Sequence, residues 1–234
     1  METVILCGGL GTRMKGFGEI PKPMVPVGHQ PVLWHLMDYY RSYGYSRFHL
    51  CGGFRIEVIS RYLTENPDPD ITIWNTGIEA STLNRVWQIR DKIGEDEFFL
   101  TYGDGISDVD LHALLRFHRS HGKVMTVVGV RQNNRFGILH CANSDVINFT
   151  EKPELPKDQY INGGFFVCTK SVFDFMPTNP QGSIETMLLP SLCADGMLQM
   201  YYHKGYWQCM DDYRDWLMLE ESYAKGGRQW IRTS

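Results

Sequence analysis

From residue 3 to residue 130 the chain alternates short apolar runs with amphipathic stretches, most of them closed by glycine or proline. This spacing predicts strands at 3–7, 46–51, 71–74, 97–102 and 123–130, and helices at 31–44, 55–65, 81–93 and 108–121. Pro31 suits a first helical position and Gly44 a stop. Strands separated by helices cannot pair as hairpins, so repeated β–α–β wiring predicts an α/β fold with a mostly parallel sheet and helices on both faces. After residue 130 the runs shorten. Strands are predicted at 136–140, 145–150 and 159–167, helices near 171–176 and 184–194, a hairpin over 197–209 and a last helix at 212–225. One sheet extended by a mixed β region accounts for this pattern. With 234 residues and no linker-like stretch, the chain is read as a single domain, 1–234, with halves at 1–130 and 131–234.

Charge and composition remove several classes of function. The formal net charge is −4 and no Lys/Arg run breaks it, so the chain offers no basic face to a nucleic acid. No stretch approaches the roughly 20 apolar residues of a membrane span. The opening METVILCGG reaches glycine too early for a signal sequence, and a cytoplasmic protein is expected. The six cysteines are dispersed without CxxC spacing, which predicts reduced core thiols. His118 and His121 share a helical face with no carboxylate to complete a ligand set, and are read with His112 as a solvated surface.

The residues that can carry chemistry sit at predicted strand ends. Gly8-Gly9-Leu10-Gly11-Thr12-Arg13 follows the first strand, where an open parallel sheet presents its ligand crevice. The segment is neither GxGxxG nor GxxxxGK[ST], which excludes a dinucleotide fingerprint and a P-loop. It remains a glycine loop with its own guanidinium, Arg13, and with Lys22 in Pro21-Lys22-Pro23: two cations suited to a polyphosphate. Asp104, flanked by Gly103 and Gly105, ends an apolar strand with room for a metal and its phosphates. Magnesium takes one or two carboxylates beside phosphate and water, and Asp211 is the second candidate. Either Asp211 or its neighbour Asp212 could instead cap the last helix. Glu151-Lys152-Pro153 and Asn162-Gly163-Gly164 mark two further strand ends.

Taken in order, GGLGTR at 8–13, PKPMV at 21–25, TYGDG at 101–105, FH-SHGK at 117–123, RFGIL at 135–139, F-EKP at 149–153, INGGFFV at 161–167 and WQ-MD--RD at 207–215 resemble the sugar-1-phosphate nucleotidyltransferase family. The resemblance implies a Rossmann-like sheet that binds nucleotide with residues 1–130 and the sugar phosphate acceptor with residues 131–234. It implies an enzyme in which Arg13, Lys22 and Asp104 are catalytic, and in which Leu6, Gly8, Gly9, Gly11, Thr12, Arg13, Thr82 and Gly103 bind the nucleotide. Gly137, Glu151, Lys152 and Asn162 would line the acceptor pocket, and Asp104 and Asp211 would bind Mg²⁺. The resemblance points to a branch that uses CTP and glucose 1-phosphate, and, since the family forms oligomers, it implies a homo-oligomer. The chain departs from that branch at 75–83, before the helix at 81–93, and at Cys209, where the family has proline. This leaves dTTP or UTP, or another phosphate or phosphonate acceptor, as alternatives within the same chemistry, and a non-catalytic nucleotide-sugar sensor outside it.

Overall fold

The computed structural model describes residues 1–11, 17, 20–131, 138–151, 156, 158–226 and 230. In chain order the elements are β1 (Glu2–Leu6), β2 (Pro26–Val27), β3 (Gln30–Pro31), α1 (Val32–Ser42), β4 (Arg47–Gly52), α2 (Ile56–Glu65), β5 (Ile71–Asn75) and α3 (Thr82–Gln88). They continue with β6 (Glu97–Tyr102), β7 (Gly105–Ser107), α4 (Leu111–His121), β8 (Met125–Val130), β9 (Ile138–Ala142), β10 (Asp145–Thr150) and β11 (Ile161–Thr169). The chain closes with a π-helical turn at Ile184–Leu188, α5 (Leu189–Ala194), β12 (Leu198–Tyr202), β13 (Trp207–Cys209) and α6 (Tyr213–Ala224).

A seven-stranded sheet in the order β12-β8-β11-β6-β1-β4-β5 forms the centre. β1 pairs in parallel with β4 and β6, β4 with β5, and β12 with β8. β11 runs antiparallel to both β6 and β8. It arrives from β8 through the β9–β10 excursion rather than a crossover helix, which allows antiparallel pairing with its neighbour. The α/β fold with a mostly parallel sheet is therefore the one the alternation predicted.

The central strands are apolar on both faces because both faces are covered. In β1, Ile5 joins one core while Val4 and Leu6 join the other; in β6, Phe99 joins the first and Phe98 and Leu100 the second. α1, α2 and α4 cover the first face through residues such as Leu33, Leu36, Ile59 and Leu111. α3, α5 and the turn at 184–188 cover the second through Leu83, Val86, Leu188 and Leu192. A third cluster, with Val25, Ile106, Met210 and Leu219, joins α6 to the strands beside the site.

Four expectations change. Residues 197–209 form no hairpin: β12 pairs with β8 at the sheet edge, whereas β13 pairs antiparallel with β7. His203 N–H donates to Gly129 O at 3.0 Å and Asp108 N–H to Tyr206 O at 3.1 Å, so the connecting turn hands the chain from one sheet to another. Among the described residues β9 and β10 pair only with each other, as a ribbon apart from the main sheet. The α4 histidines are not a solvated face. His118 is buried, and its Nδ1 and the Nε2 of His121 each lie 2.8 Å from the Thr126 hydroxyl on β8. Leu111, Leu114, Leu115 and His118 are the buried positions of this helix, the spacing of an inward-facing stripe. His112 Nδ1 meets the Tyr45 hydroxyl at 3.2 Å. Of the cysteines, Cys7, Cys51 and Cys168 are buried as expected, Cys209 is partly buried, and Cys141 and Cys193 are exposed.

Candidate active site

The carboxyl ends of β1 and β6 open onto a cavity of about 730 Å³. β1 and β6 are adjacent parallel strands, so the residues that follow each emerge at the same rim. Gly8, Gly9 and Gly11 leave β1, and Gly103 and Asp104 leave β6. Gly11 has φ +58°, a conformation that favours glycine. Gly103 N–H donates to Leu6 O at 2.9 Å. A Cβ there would lie 3.1 Å from that oxygen and 3.3 Å from Pro23 Cγ, so glycine permits the two strand ends to meet the 21–24 segment.

Asp211 reaches the same rim by another route. β13 pairs with β7, and Met210 N–H donates to Asp104 O at 2.9 Å, which places residues 104 and 211 side by side. Asp212, and not Asp211, caps α6: its side chain accepts from the N–H groups of Arg214 and Asp215. Asp215, only 3% exposed, in turn accepts from the N–H groups of Asp211 and Asp212 at 2.9 and 3.2 Å. That carboxylate fixes the turn on which Asp211 is carried.

Lys22 joins the two acids. Its Nζ lies 2.6 Å from Asp104 Oδ2 and 2.7 Å from Asp211 Oδ1. Burial opposes the ammonium charge, but the two carboxylates outweigh it and hold its pKa above the ordinary lysine value. Three residues separated in sequence by up to 189 positions thus share one ion cluster. Burial pushes the nearby Cys7 thiol up to about 12, and burial with the Asp104 and Asp211 carboxylates raises that of Cys209.

Ten of the residues predicted for the site line this cavity: Leu6, Gly8, Gly9, Gly11, Lys22, Thr82, Gly103, Asp104, Asn162 and Asp211. Thr82 opens α3 after the Ser81 cap, and its hydroxyl accepts from Ile184 N–H at 3.0 Å. Asn162 lies where the β8–β11 register shifts, and its Oδ1 accepts from Gly164 N–H at 2.9 Å. Glu151 is exposed at the end of β10 and is not among the lining residues. Thr12, Arg13, Gly137 and Lys152 lie outside the described residues.

Of two further lining residues, Tyr102 enters the sequence reading only within TYGDG and Arg85 does not enter it. Tyr102 donates its hydroxyl to the Glu185 carboxylate on the π-helical turn, and burial together with that carboxylate raises its pKa. Arg85 is 3% exposed, and its guanidinium reaches backbone oxygens of the glycine loop, of β4 and of the loop after β5. Asp215, behind the wall, was seen only as part of a motif. An arginine in a short amphipathic helix reads as a surface residue, and only the approach of Gly8 and Gly53 from other strands makes it internal.

Among the described residues no group of three or more His, Cys, Asp or Glu side chains forms a metal cage, and no helix is long and apolar enough to cross a membrane. A nucleotidyl transferase family model matches residues 2–223. The chain is 35% identical to a probable glucose-1-phosphate cytidylyltransferase of Bacillus subtilis, over 98% of this chain and 99% of the relative. It is 36% identical to the glucose-1-phosphate cytidylyltransferase of Salmonella typhimurium, over 98% of each. The crystal structure of HddC from Yersinia pseudotuberculosis superposes with a TM-score of 0.75 at 26% identity, covering 95% of this chain and 99% of that one. Matched over nearly its whole length, the chain belongs to the nucleotidyl transferase family.

Proposed function

We propose that this enzyme joins the nucleotidyl part of CTP to glucose 1-phosphate and releases pyrophosphate. The observation that carries the reading is the Lys22–Asp104–Asp211 cluster on the wall of a cavity of about 730 Å³, within the usual range for a small-molecule site. Relatives named for this activity align over 98% of the chain.

A sugar phosphate is already an anion at neutral pH, so it can attack the α-phosphorus without a base to activate it. The difficulty lies in bringing two polyanions together, and orientation and charge stabilisation are the chief tasks. Asp104 and Asp211 would hold Mg²⁺. They fit it, because both carboxylates already lie within bonding distance of one cationic atom, the Lys22 ammonium. A pair of carboxylates without a third protein ligand suits an ion that completes its shell with phosphate oxygens and water. Bound there, Mg²⁺ would neutralise negative charge on the reacting phosphates. Lys22 would donate to the same phosphate oxygens, with Arg13 as its proposed companion from the glycine loop. Gly8, Gly9 and Gly11 would admit the nucleotide to the backbone, with Leu6, Thr12, Thr82 and Gly103 around it. Asn162, with Gly137 and Lys152, would hold the acceptor, so residues 1–130 and 131–234 each supply one substrate's contacts and meet at Asp104 and Asp211.

We also propose a homo-oligomer, supported by the exposed Leu139, Val146, Ile147 and Phe149 of the β9–β10 ribbon. The substrate assignment is tested by incubating the enzyme and Mg²⁺ with each of CTP, UTP, dTTP, ATP and GTP against glucose 1-phosphate, and identifying products by mass spectrometry. CDP-glucose is the expected product. A different nucleoside diphosphate sugar would move the base assignment and keep the chemistry. No product from any pair, with nucleotide still bound in calorimetry, would favour a sensor or another acceptor.

A further inference from the structure

We infer that Arg85 is a positioning residue that aims backbone N–H groups of two separate loops at the nucleotide; this rests on the cavity being the nucleotide site. Its Nη1 donates to Gly52 O, Thr76 Oγ1 and Gly77 O at 3.0, 2.6 and 2.8 Å. Its Nη2 donates to Gly8 O and Ile78 O at 2.9 and 3.2 Å. None of these acceptors is a carboxylate. A buried guanidinium surrounded by carbonyl oxygens is held by their dipoles, and it fixes the peptide planes that carry them.

In a trans peptide the carbonyl and the following N–H point in opposite directions. Binding the oxygens of Gly8, Gly77 and Ile78 therefore turns the N–H groups of Gly9, Ile78 and Glu79 away from the guanidinium. All three residues are exposed and line the cavity. Among the described residues none of these three amides has a protein acceptor. They form a set of donors for acceptor oxygens or ring nitrogens of a nucleotide, two from the loop after β5 and one from the loop after β1.

The glycines around Arg85 show how closely the loops are drawn in. A Cβ on Gly8 would lie 2.2 Å from Arg85 Nη1, and a Cβ on Gly53 would lie 2.5 Å from it and 2.6 Å from Gly77 O. Such spacing leaves no room for a side chain, so the two glycines and the arginine are one device. Lysine cannot replace it, because a single ammonium cannot span five acceptors set in a planar fork.

The test uses Arg85→Lys and the milder Thr76→Val, which removes one acceptor and keeps the charge. In the free protein, ¹⁵N relaxation should give Gly9, Ile78 and Glu79 order parameters near about 0.85, falling together toward about 0.6 in Arg85→Lys. Calorimetry should show CTP binding weakened about tenfold or more in Arg85→Lys and a fewfold in Thr76→Val, with glucose 1-phosphate binding unchanged. Order parameters that stay high in Arg85→Lys, or that fall in one loop only, would overturn the inference. So would equal weakening of both substrates. Should Arg85→Lys fail to fold, unchanged CTP affinity and loop order in Thr76→Val would overturn it. A wild-type protein that binds no nucleotide would refute the proposed function, while the relaxation data would still judge the tie between the loops.

Discussion

β6 and β10 read alike in sequence and lead opposite lives in the structure. Phe98-Phe99-Leu100 of β6 is fully buried, with a helical layer on either side. Val146, Ile147 and Phe149 of β10 are 56%, 68% and 55% exposed on a strand that, among the described residues, pairs with β9 alone. The first strand is held rigidly, and its end delivers Asp104 to a fixed point. The second presents apolar surface outward, where a two-stranded ribbon alone gains little stability. Apolar character alone does not say which role a strand takes; the neighbours recruited from elsewhere in the chain decide it.

The contrast can be broken at several points. The largest effect is expected where β6 meets the cluster: Lys22→Met should lower turnover about 100-fold to 1,000-fold in steady-state kinetics, as loss of one preorganised donor does elsewhere. Circular dichroism should show the fold intact. Behind the site, Phe99→Ala should destabilise the chain by about 3–5 kcal/mol in denaturant unfolding, because a fully buried ring leaves a cavity between two layers.

A smaller effect is expected at His118, beside the same sheet. Burial, with His121 and Arg119 adding to it and Glu97 opposing, lowers its pKa from 6.5 to about 4. The unfolded chain then binds the proton more readily than the folded one. Its contribution to stability should be whole above pH 6.5 and fall as the pH drops toward 4, by up to roughly 3 kcal/mol. His118→Gln should flatten that slope in unfolding titrations. The smallest effect on intrinsic stability belongs to the ribbon. Ile147→Ser should change it by less than about 0.5 kcal/mol, yet shift sedimentation toward smaller species if the ribbon is the oligomer contact.

Much of this division was legible from residue order. Alternating runs gave the parallel sheet, and the glycine loop, Lys22, Asp104 and Asp211 were recognisable because each stands at a strand end or in a glycine- or proline-rich break. What stayed hidden depended on partners distant in sequence. Nothing local says that the turn at His203–Tyr206 passes the chain from β12, paired with β8, to β13, paired with β7, so 197–209 reads as a hairpin. His118 carries its signal in plain form, seven residues after Leu111, but a histidine on a polar helix reads as a solvated one. Arg85 carries almost no signal, since its burial depends on Gly8 and Gly53 arriving from two other strands. Cys209 lines the cavity beside Asp211, and nothing in the structure explains a cysteine where the resemblance implies proline.

The central claim, that the Lys22–Asp104–Asp211 cluster drives direct transfer between two bound phosphates, is tested most directly by pyrophosphate release. Wild type and Asp104→Asn would each be assayed with Mg²⁺ and CTP, with and without glucose 1-phosphate. The account predicts release only when both substrates are present, and its near-complete loss in Asp104→Asn. Release from CTP without the acceptor, or an undiminished rate in the variant, would contradict it.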